Sequence, residues 1–362
     1  MTSGSSQFAR GAVRSLRLYA PDAPSCAIDL SDNTNLWGAP PSAVRAISEF
    51  ASGVSRYPSL YSSHLRAAML GYVGLVDAPD VSVVTGCGSD EVIDCVMRAF
   101  GAPGDRVSYC APTFTMVPVF AQLNGLEPDP IPFAHDWDID PERLVDRHAK
   151  VTYLCTPNNP TGSAASRAAI EYVVEHAEGI VLLDVAYAEF ARDQFDDLVR
   201  TSDRLIVTHT FSKAFGLAGI RCGFGVGATT LVDLVTKARG PYKVNSLAER
   251  AAAAALQDSP DGVGWVREHA TLAVANRVRL ASALSDLGLR PLESDANFLL
   301  VPTLQGKAIF DGLCARGVLI RLMTGLGQDL PALAVSNGTA LRIGIGPWDV
   351  MERLLTALRE VL

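Results

Sequence analysis

A lysine at the end of an apolar run is the first residue in this chain with the setting for chemistry. Residues 208–225 read Thr-His-Thr-Phe-Ser-Lys-Ala-Phe-Gly-Leu-Ala-Gly-Ile-Arg-Cys-Gly-Phe-Gly, which sets Lys213 among Phe211, Phe215 and Leu217. Apolar neighbours desolvate an ammonium, lower its pKa and free the amine as a nucleophile or base. Taken alone, such a lysine could equally snorkel to the surface. It is not alone, because Thr210, Ser212 and Arg221 lie close by in sequence. Several short donors and one fixed guanidinium are what a phosphate group requires.

Three further segments carry the same kind of signal. In Thr85-Gly-Cys-Gly-Ser-Asp-Glu, glycines separate an apolar run from a helical pattern. The backbone amides of Ser89 and Asp90 can then face an anion at a helix N-terminus, although both residues are also ordinary N-caps. Asp184 ends the run Ile180-Val-Leu-Leu, with Tyr187 three residues on. A buried carboxylate is costly unless it meets a cation or donors, and a protonated pyridine nitrogen is one such cation; a strand-end capping aspartate is the plainer alternative. Cys155-Thr-Pro-Asn-Asn-Pro-Thr-Gly fixes a tight turn that offers Asn159 at a set position. Each segment has an ordinary reading. Their occurrence at successive strand ends does not.

The elements that must position these residues follow from hydrophobic patterning. Short apolar, β-branched runs predict strands at Val81–Gly86, Arg106–Ala111, Val151–Thr156, Ile180–Val185, Leu205–Thr210 and Cys222–Val226. Amphipathic stretches predict helices over Asp90–Phe100, Met116–Asn124, Arg167–Glu178 and Thr230–Arg239. This alternation implies an α/β fold with a mostly parallel, doubly wound sheet, which binds ligands at the carboxyl ends of its strands. Pro260, Gly262 and Gly264 mark a boundary, followed by a long helix over Trp265–Leu287. Short strands at Asn297–Val301, Leu319–Arg321 and Ala340–Ile345 and a last helix over Trp348–Leu362 complete the pattern. The expected organisation is an N-terminal segment, 1–45, packing on the smaller domain; a large domain, 46–260; and a smaller α/β domain, 261–362.

Composition excludes several classes. The 362 residues are 48% apolar and 19% charged, which rules out a disordered chain or a coiled coil. A net charge of −8 argues against a nucleic-acid partner. No apolar stretch reaches the roughly 18 residues of a membrane span, and the start lacks a signal-peptide core, so a cytoplasmic protein is expected. The seven cysteines show no CxxC spacing; reduced thiols and no metal site are expected.

Together, Gly88-Ser-Asp-Glu, Pro157-Asn-Asn-Pro-Thr-Gly, Asp184 with Ala186-Tyr187, the Phe211–Gly223 lysine segment, Val244-Asn-Ser-Leu-Ala and Leu341-Arg-Ile-Gly resemble the fold-type I aminotransferases that use pyridoxal 5′-phosphate (PLP). Within that family the chain looks most like the histidinol-phosphate aminotransferase branch. The resemblance implies that Lys213 forms the internal aldimine and then moves the proton between substrate Cα and C4′. Asp184 would keep the pyridine nitrogen protonated, so that the ring acts as an electron sink. Tyr187 and Asn159 would donate to the ring's phenolic oxygen, and Phe114 would stack on the ring. Thr210, Ser212, Arg221 and the amides of Ser89 and Asp90 would hold the phosphate. Tyr57 would reach the phosphate of the neighbouring subunit, implying a homodimer with shared sites. Arg342 would pair bidentately with the substrate carboxylate and Arg321 would be the second substrate arginine, the substrates being an amino acid and a 2-oxo acid in turn.

The sequence also departs from that branch. Asn33-Thr-Asn-Leu-Trp-Gly stands where Asn-Glu-Asn-Pro-Tyr-Gly is common, and Val185 replaces a glutamate. Trp37, in place of the tyrosine, favours an aromatic or apolar substrate side chain over histidinol phosphate, with a core or lid tryptophan as the equal alternative. A PLP-dependent decarboxylase of the threonine-phosphate decarboxylase type is the alternative activity on the same cofactor residues.

Overall fold

The computed structural model describes residues 8–16, 25–134, 137–327 and 330–362. A short helix α1 (Gly11–Ser15) and strand β1 (Ile28–Asp29) precede helices α2 (Pro41–Phe50) and α3 (Ser63–Tyr72). Then come β2 (Val81–Gly86), α4 (Ser89–Phe100), β3 (Arg106–Ala111), α5 (Met116–Leu123), β4 (Glu127–Pro132), α6 (Pro141–Val145), β5 (Val151–Cys155), α7 (Arg167–His176), β6 (Ile180–Asp184), β7 (Leu205–Thr210), β8 (Gly223–Ala228) and α8 (Thr229–Ala238). The remainder is α9 (Ser246–Ala255), α10 (Trp265–Asp286), β9 (Phe298–Pro302), α11 (Gly306–Cys314), β10 (Val318–Leu319), β11 (Arg321–Met323), α12 (Pro331–Ala334), β12 (Ala340–Gly344) and α13 (Trp348–Val361).

Seven strands form one sheet in the order β2-β8-β7-β6-β5-β3-β4. Only β8 runs against its neighbours; the other pairings are parallel. Every residue of β5, β6 and β7 is buried, as a strand covered on both faces requires. One face packs under α4, α5 and α8. The other packs into the main core with α7, α9 and α10. Because six strands point the same way, the turns after β2, β3, β5, β6 and β7 emerge along one edge of the sheet. That edge carries Ser89, Phe114, Asn159, Asp184 and Thr210.

Two smaller sheets bring the chain ends to this edge. β11, β12 and β9 pair antiparallel. β1 pairs parallel with β10, joining Ile28 to Val318 and Asp29 to Leu319. The segment just after β1 is thereby laid across the mouth of the large sheet. No helix among the described residues is long and apolar enough to cross a membrane.

Most predicted elements lie within one or two residues of their observed bounds; the single strand expected at Leu319–Arg321 is instead two, β10 and β11, which part at Ile320 into different sheets, and several elements have no counterpart in the sequence reading. β4 reads Glu-Pro-Asp-Pro-Ile-Pro, which locally suggests a loop. It is an edge strand. Its prolines alternate, so the missing N–H groups fall on the side with no neighbour, where nothing is lost. Glycine-rich β8 extends two residues past its predicted end, where Gly227 and Ala228 pair with Ser82 and Val81 of β2; its glycines are needed because α4 and the flanking strands crowd its face. A Cβ at Gly225 would lie 2.9 Å from Val92 and 3.1 Å from Ile206. Helices α2, α3, α9 and α11 were also not predicted.

Candidate active site

A cavity of about 640 Å³ opens at the carboxyl edge of the sheet. It is lined by Ser89, Asp90, Phe114, Asn159, Asp184, Tyr187, Thr210, Ser212, Lys213, Arg221, Arg321 and Arg342. All but two of the residues singled out from the sequence therefore meet in one place. The exceptions are Tyr57 and Trp37.

Lys213 leaves the end of β7 and points inward. Its Nζ donates to the backbone oxygen of Asp32 at 2.9 Å and lies 5.9 Å from the centre of the Tyr187 ring. Burial, with the nearby positive charge of Arg342, brings the amine down to about 8, against the opposing pull of Asp32 and Asp90. An amine in that range has a substantial neutral fraction near neutral pH and can accept a proton or attack a carbonyl.

Asp184 ends β6, 4% exposed. Its Oδ2 accepts from the Tyr153 hydroxyl at 2.8 Å and its Oδ1 from the Ala186 amide at 3.1 Å. Burial raises this carboxyl to about 6, and the two hydrogen bonds hold it from going higher. Neither donor is charged, so the carboxylate is suited to a cation brought by a ligand. Tyr187, three residues on, accepts from Asn33 Nδ2 at 3.1 Å; burial pushes its hydroxyl well above the usual tyrosine range.

The opposite wall is an anion cradle. Gly88 caps α4 with φ of 79°, and Ser89 and Asp90, the first residues of the helix, line the cavity. A Cβ on Gly88 would sit 2.6 Å from Arg221 Nη2, and one on Gly223 would sit 2.3 Å from the Ser89 nitrogen. Both positions need glycine for helix, strand and guanidinium to close up this tightly. Arg221, itself in the left-handed region, donates to Ser212 Oγ at 3.4 Å and to Asp90 Oδ2 at 3.3 Å. Asp90 thus contributes a carboxylate as well as the expected amide; burial raises its pKa, with Arg221 and Lys213 opposing.

Two arginines face this cradle from the small sheet. Arg321 and Arg342 are directly opposed across the β11–β12 pair. Like charges so placed repel, and each is compensated. Arg321 pairs with Asp32. Arg342, 8% exposed, donates to Asn159 Oδ1 at 2.6 Å and to the Ser31 oxygen at 2.5 Å.

Trp37 requires a correction. Expected at the substrate, it does not line the cavity. Its indole packs edge-on against His269 of α10, ring centres 6.0 Å apart, and its amide is turned by Asn35 Oδ1 at 2.9 Å. The aromatic-substrate reading rested on this residue. Tyr57 also lies outside the cavity, 83% exposed and stacked on Tyr242 at 4.8 Å. Conversely, Asp32 and Asn33 enter the site without having been singled out. Their segment carries no periodicity; the pairing of β1 with β10 and hydrogen bonds from Asn297 to the Asn33 oxygen and from Arg342 to the Ser31 oxygen aim it.

These features fit pyridoxal phosphate. A glycine-permitted helix terminus with hydroxyls and Arg221 suits the phosphate, the buried anionic Asp184 suits a pyridinium, and Lys213 supplies an amine of lowered pKa between them. The chain matches the family model for class I and II aminotransferases over residues 26–358 and belongs to that family. It is 37% identical, over 92% of its length and 89% of the relative's, to the histidinol-phosphate aminotransferase of Roseiflexus castenholzii. It is 34% identical to that of Methylibium petroleiphilum, covering 98% and 95%. The solved structure of the Sinorhizobium meliloti histidinol-phosphate aminotransferase in complex with pyridoxal 5′-phosphate superposes with a TM-score of 0.86, at 26% identity and over 98% and 97% of the two chains. The chain is a PLP-dependent aminotransferase acting on an amino acid and a 2-oxo acid. Nothing in these relationships supports decarboxylation or an aromatic substrate.

Proposed function

We propose that the amino donor is histidinol phosphate, handled by a homodimer. The observation that carries this reading is the opposed pair Arg321 and Arg342 facing Lys213 across one cavity. A dianionic phosphate at the far end of a substrate suits two guanidiniums better than one. The relatives' names support the same substrate. Bound pyridoxal phosphate supplies a cationic conjugated ring that stabilises negative charge at the substrate Cα.

The chain's own residues do the rest. Thr210, Ser212, Arg221 and the Ser89 and Asp90 amides fix the cofactor phosphate. Asp184 holds the ring nitrogen, Tyr187 and Asn159 orient the ring's oxygen, and Phe114 covers a ring face. Lys213, released from the Asp32 oxygen, would take the Cα proton and deliver it to C4′ of the cofactor, the 1,3-transfer that transamination requires. Its lowered pKa lets one amine serve as base and then as acid near neutral pH. Tyr57, exposed beside Tyr242, is read as reaching the second subunit's phosphate. Residues 46–260 are read as the cofactor-holding domain and 261–362 as the smaller domain.

Steady-state rates with histidinol phosphate, phosphate-free histidinol and phenylalanine test the substrate. Histidinol phosphate is expected to lead, and Arg321→Met to raise its KM on the order of tenfold or more. Equal kcat/KM for histidinol and histidinol phosphate in the unmodified protein would refute the assignment.

A further inference from the structure

The Asp184 carboxylate is held by a residue that no part of the reading above uses. Tyr153 lies in the middle of β5, opposite Leu182 of β6, on the face that also carries Cys155. It is 1% exposed. Its hydroxyl is 2.8 Å from Asp184 Oδ2. Burial, with Asp184 next to it, pushes this phenol well above the usual tyrosine range, so it remains a proton donor throughout the working pH range.

The geometry constrains the carboxylate in two ways. With Oδ2 tied to Tyr153 and Oδ1 to the Ala186 amide, the carboxylate has one orientation. Both donors stabilise the charged form against burial. The charged groups that bear on Asp184 are few. Asp90, from α4, disfavours its ionisation and His209, from β7, favours it. Neither group changes if the Tyr153 hydroxyl is removed. The ring of Tyr153 also fills the core beside Val107 and Leu182, so a packing role and a hydrogen-bonding role must be separated.

We infer that Tyr153 is a positioning residue: its hydroxyl fixes Asp184 as an oriented anion, and through it sets how tightly the site holds the ring nitrogen of pyridoxal phosphate. The inference rests on the reading of Asp184 as the partner of that nitrogen. A double-mutant cycle on the full chain tests it. Apoproteins of the natural sequence, Tyr153→Phe, Asp184→Asn and the double variant are titrated with pyridoxal phosphate, and the dissociation constant is read by equilibrium dialysis. Thermal unfolding of each apoprotein checks folding.

Tyr153→Phe keeps the ring in the core and is expected to weaken binding by about tenfold, the usual effect of a hydrogen bond to a charged group. The loss should grow as pH falls toward about 6, because a carboxyl without the Tyr153 hydrogen bond protonates above the pH at which the natural one does. In the Asp184→Asn background the same change should cost less than about twofold, because the hydroxyl acts through the carboxylate. Unchanged affinity in Tyr153→Phe, or an equal loss in both backgrounds, would overturn the inference and leave packing as the residue's role. Unchanged affinity in Asp184→Asn would instead remove the Asp184 reading, and this one with it.

Discussion

An alanine at position 223 would separate the contribution of the helix terminus from that of the side chains. Its Cβ would lie 2.3 Å from the Ser89 nitrogen, 2.6 Å from the Gly88 carbonyl carbon and 2.9 Å from the His209 oxygen. Ordinary contact begins at 3.4 Å, so 3.4 − 2.3 leaves about 1.1 Å to be recovered. All three obstacles are backbone, and no side chain can swing aside. β8 is held on both sides by β2 and β7, so the first turn of α4 must give way. Overpacking of this kind costs about 1–3 kcal/mol. Displacing a binding element by about 1 Å can cost on the order of a hundredfold in function. The assay is the dissociation constant for pyridoxal phosphate with the thermal midpoint of the apoprotein, and Gly219→Ala is the control, since its Cβ meets nothing within 4 Å. Cofactor affinity should fall by one to two orders of magnitude (about 1.4 kcal/mol for each) in Gly223→Ala and stay unchanged in Gly219→Ala. Natural affinity in Gly223→Ala would mean that the phosphate does not rest on this helix terminus, or that β8 and α4 are not in the contact described.

Three more outcomes can be measured. The rate at which pyridoxal phosphate attaches to the apoprotein should rise with pH and level off above about 8, as Lys213 loses its proton; Arg342→Gln, by removing a positive neighbour, should move that midpoint upward, and a midpoint left in place would refute the electrostatic account. Because the amine is depressed in the folded state, the unfolded chain binds the extra proton above pH 8, and apoprotein stability should rise from there toward the ordinary lysine range, a rise that Lys213→Met abolishes in denaturant titrations. If sites are shared between subunits, mixing inactive Lys213→Ala with impaired Tyr57→Ala should recover activity, since a hybrid dimer has one site with both residues intact; no recovery would argue against Tyr57 acting across the interface.

The strands that hold the site were legible because burial on both faces writes continuous apolar runs, and the residues at their carboxyl ends stand out as polar exceptions. Lys213, Asp184, Asn159 and Ser89 were visible for that reason. β4 was not, because three prolines mask an edge strand locally and only its place at the end of the sheet tolerates them. The N-terminal segment defeated the same logic. Nothing in residues 30–37 is periodic, and their position depends on a two-residue pairing with β10, nearly the whole chain away. Hence Asp32 goes unnoticed in the sequence, Asn33 is seen only as the start of a motif and given no role, and Trp37 is sent toward the substrate when it packs against α10. Tyr153 reads as a core residue within an apolar strand; only the register between β5 and β6 reveals what its hydroxyl meets.

The electrostatics of the cavity explain how an acidic chain comes to bind anions. Lys213, Arg221, Arg321 and Arg342 all reach one space, and four cations brought together in the absence of ligand would repel. Two aspartates relieve this, Asp90 on Arg221 and Asp32 on Arg321. Both pairs are partly exposed, where an ion pair contributes little, so an incoming phosphate or carboxylate loses little by competing for the guanidinium. Asp184 differs: it is buried, hydrogen-bonded only to neutral donors, and away from that exchange. The site therefore sorts its carboxylates by exposure. Partly exposed ones keep the arginines compatible until an anion arrives, and the fully buried one is kept for a cation. Exchanging those settings, by exposing Asp184 or burying Asp32, would reverse which end of a ligand the cavity could hold.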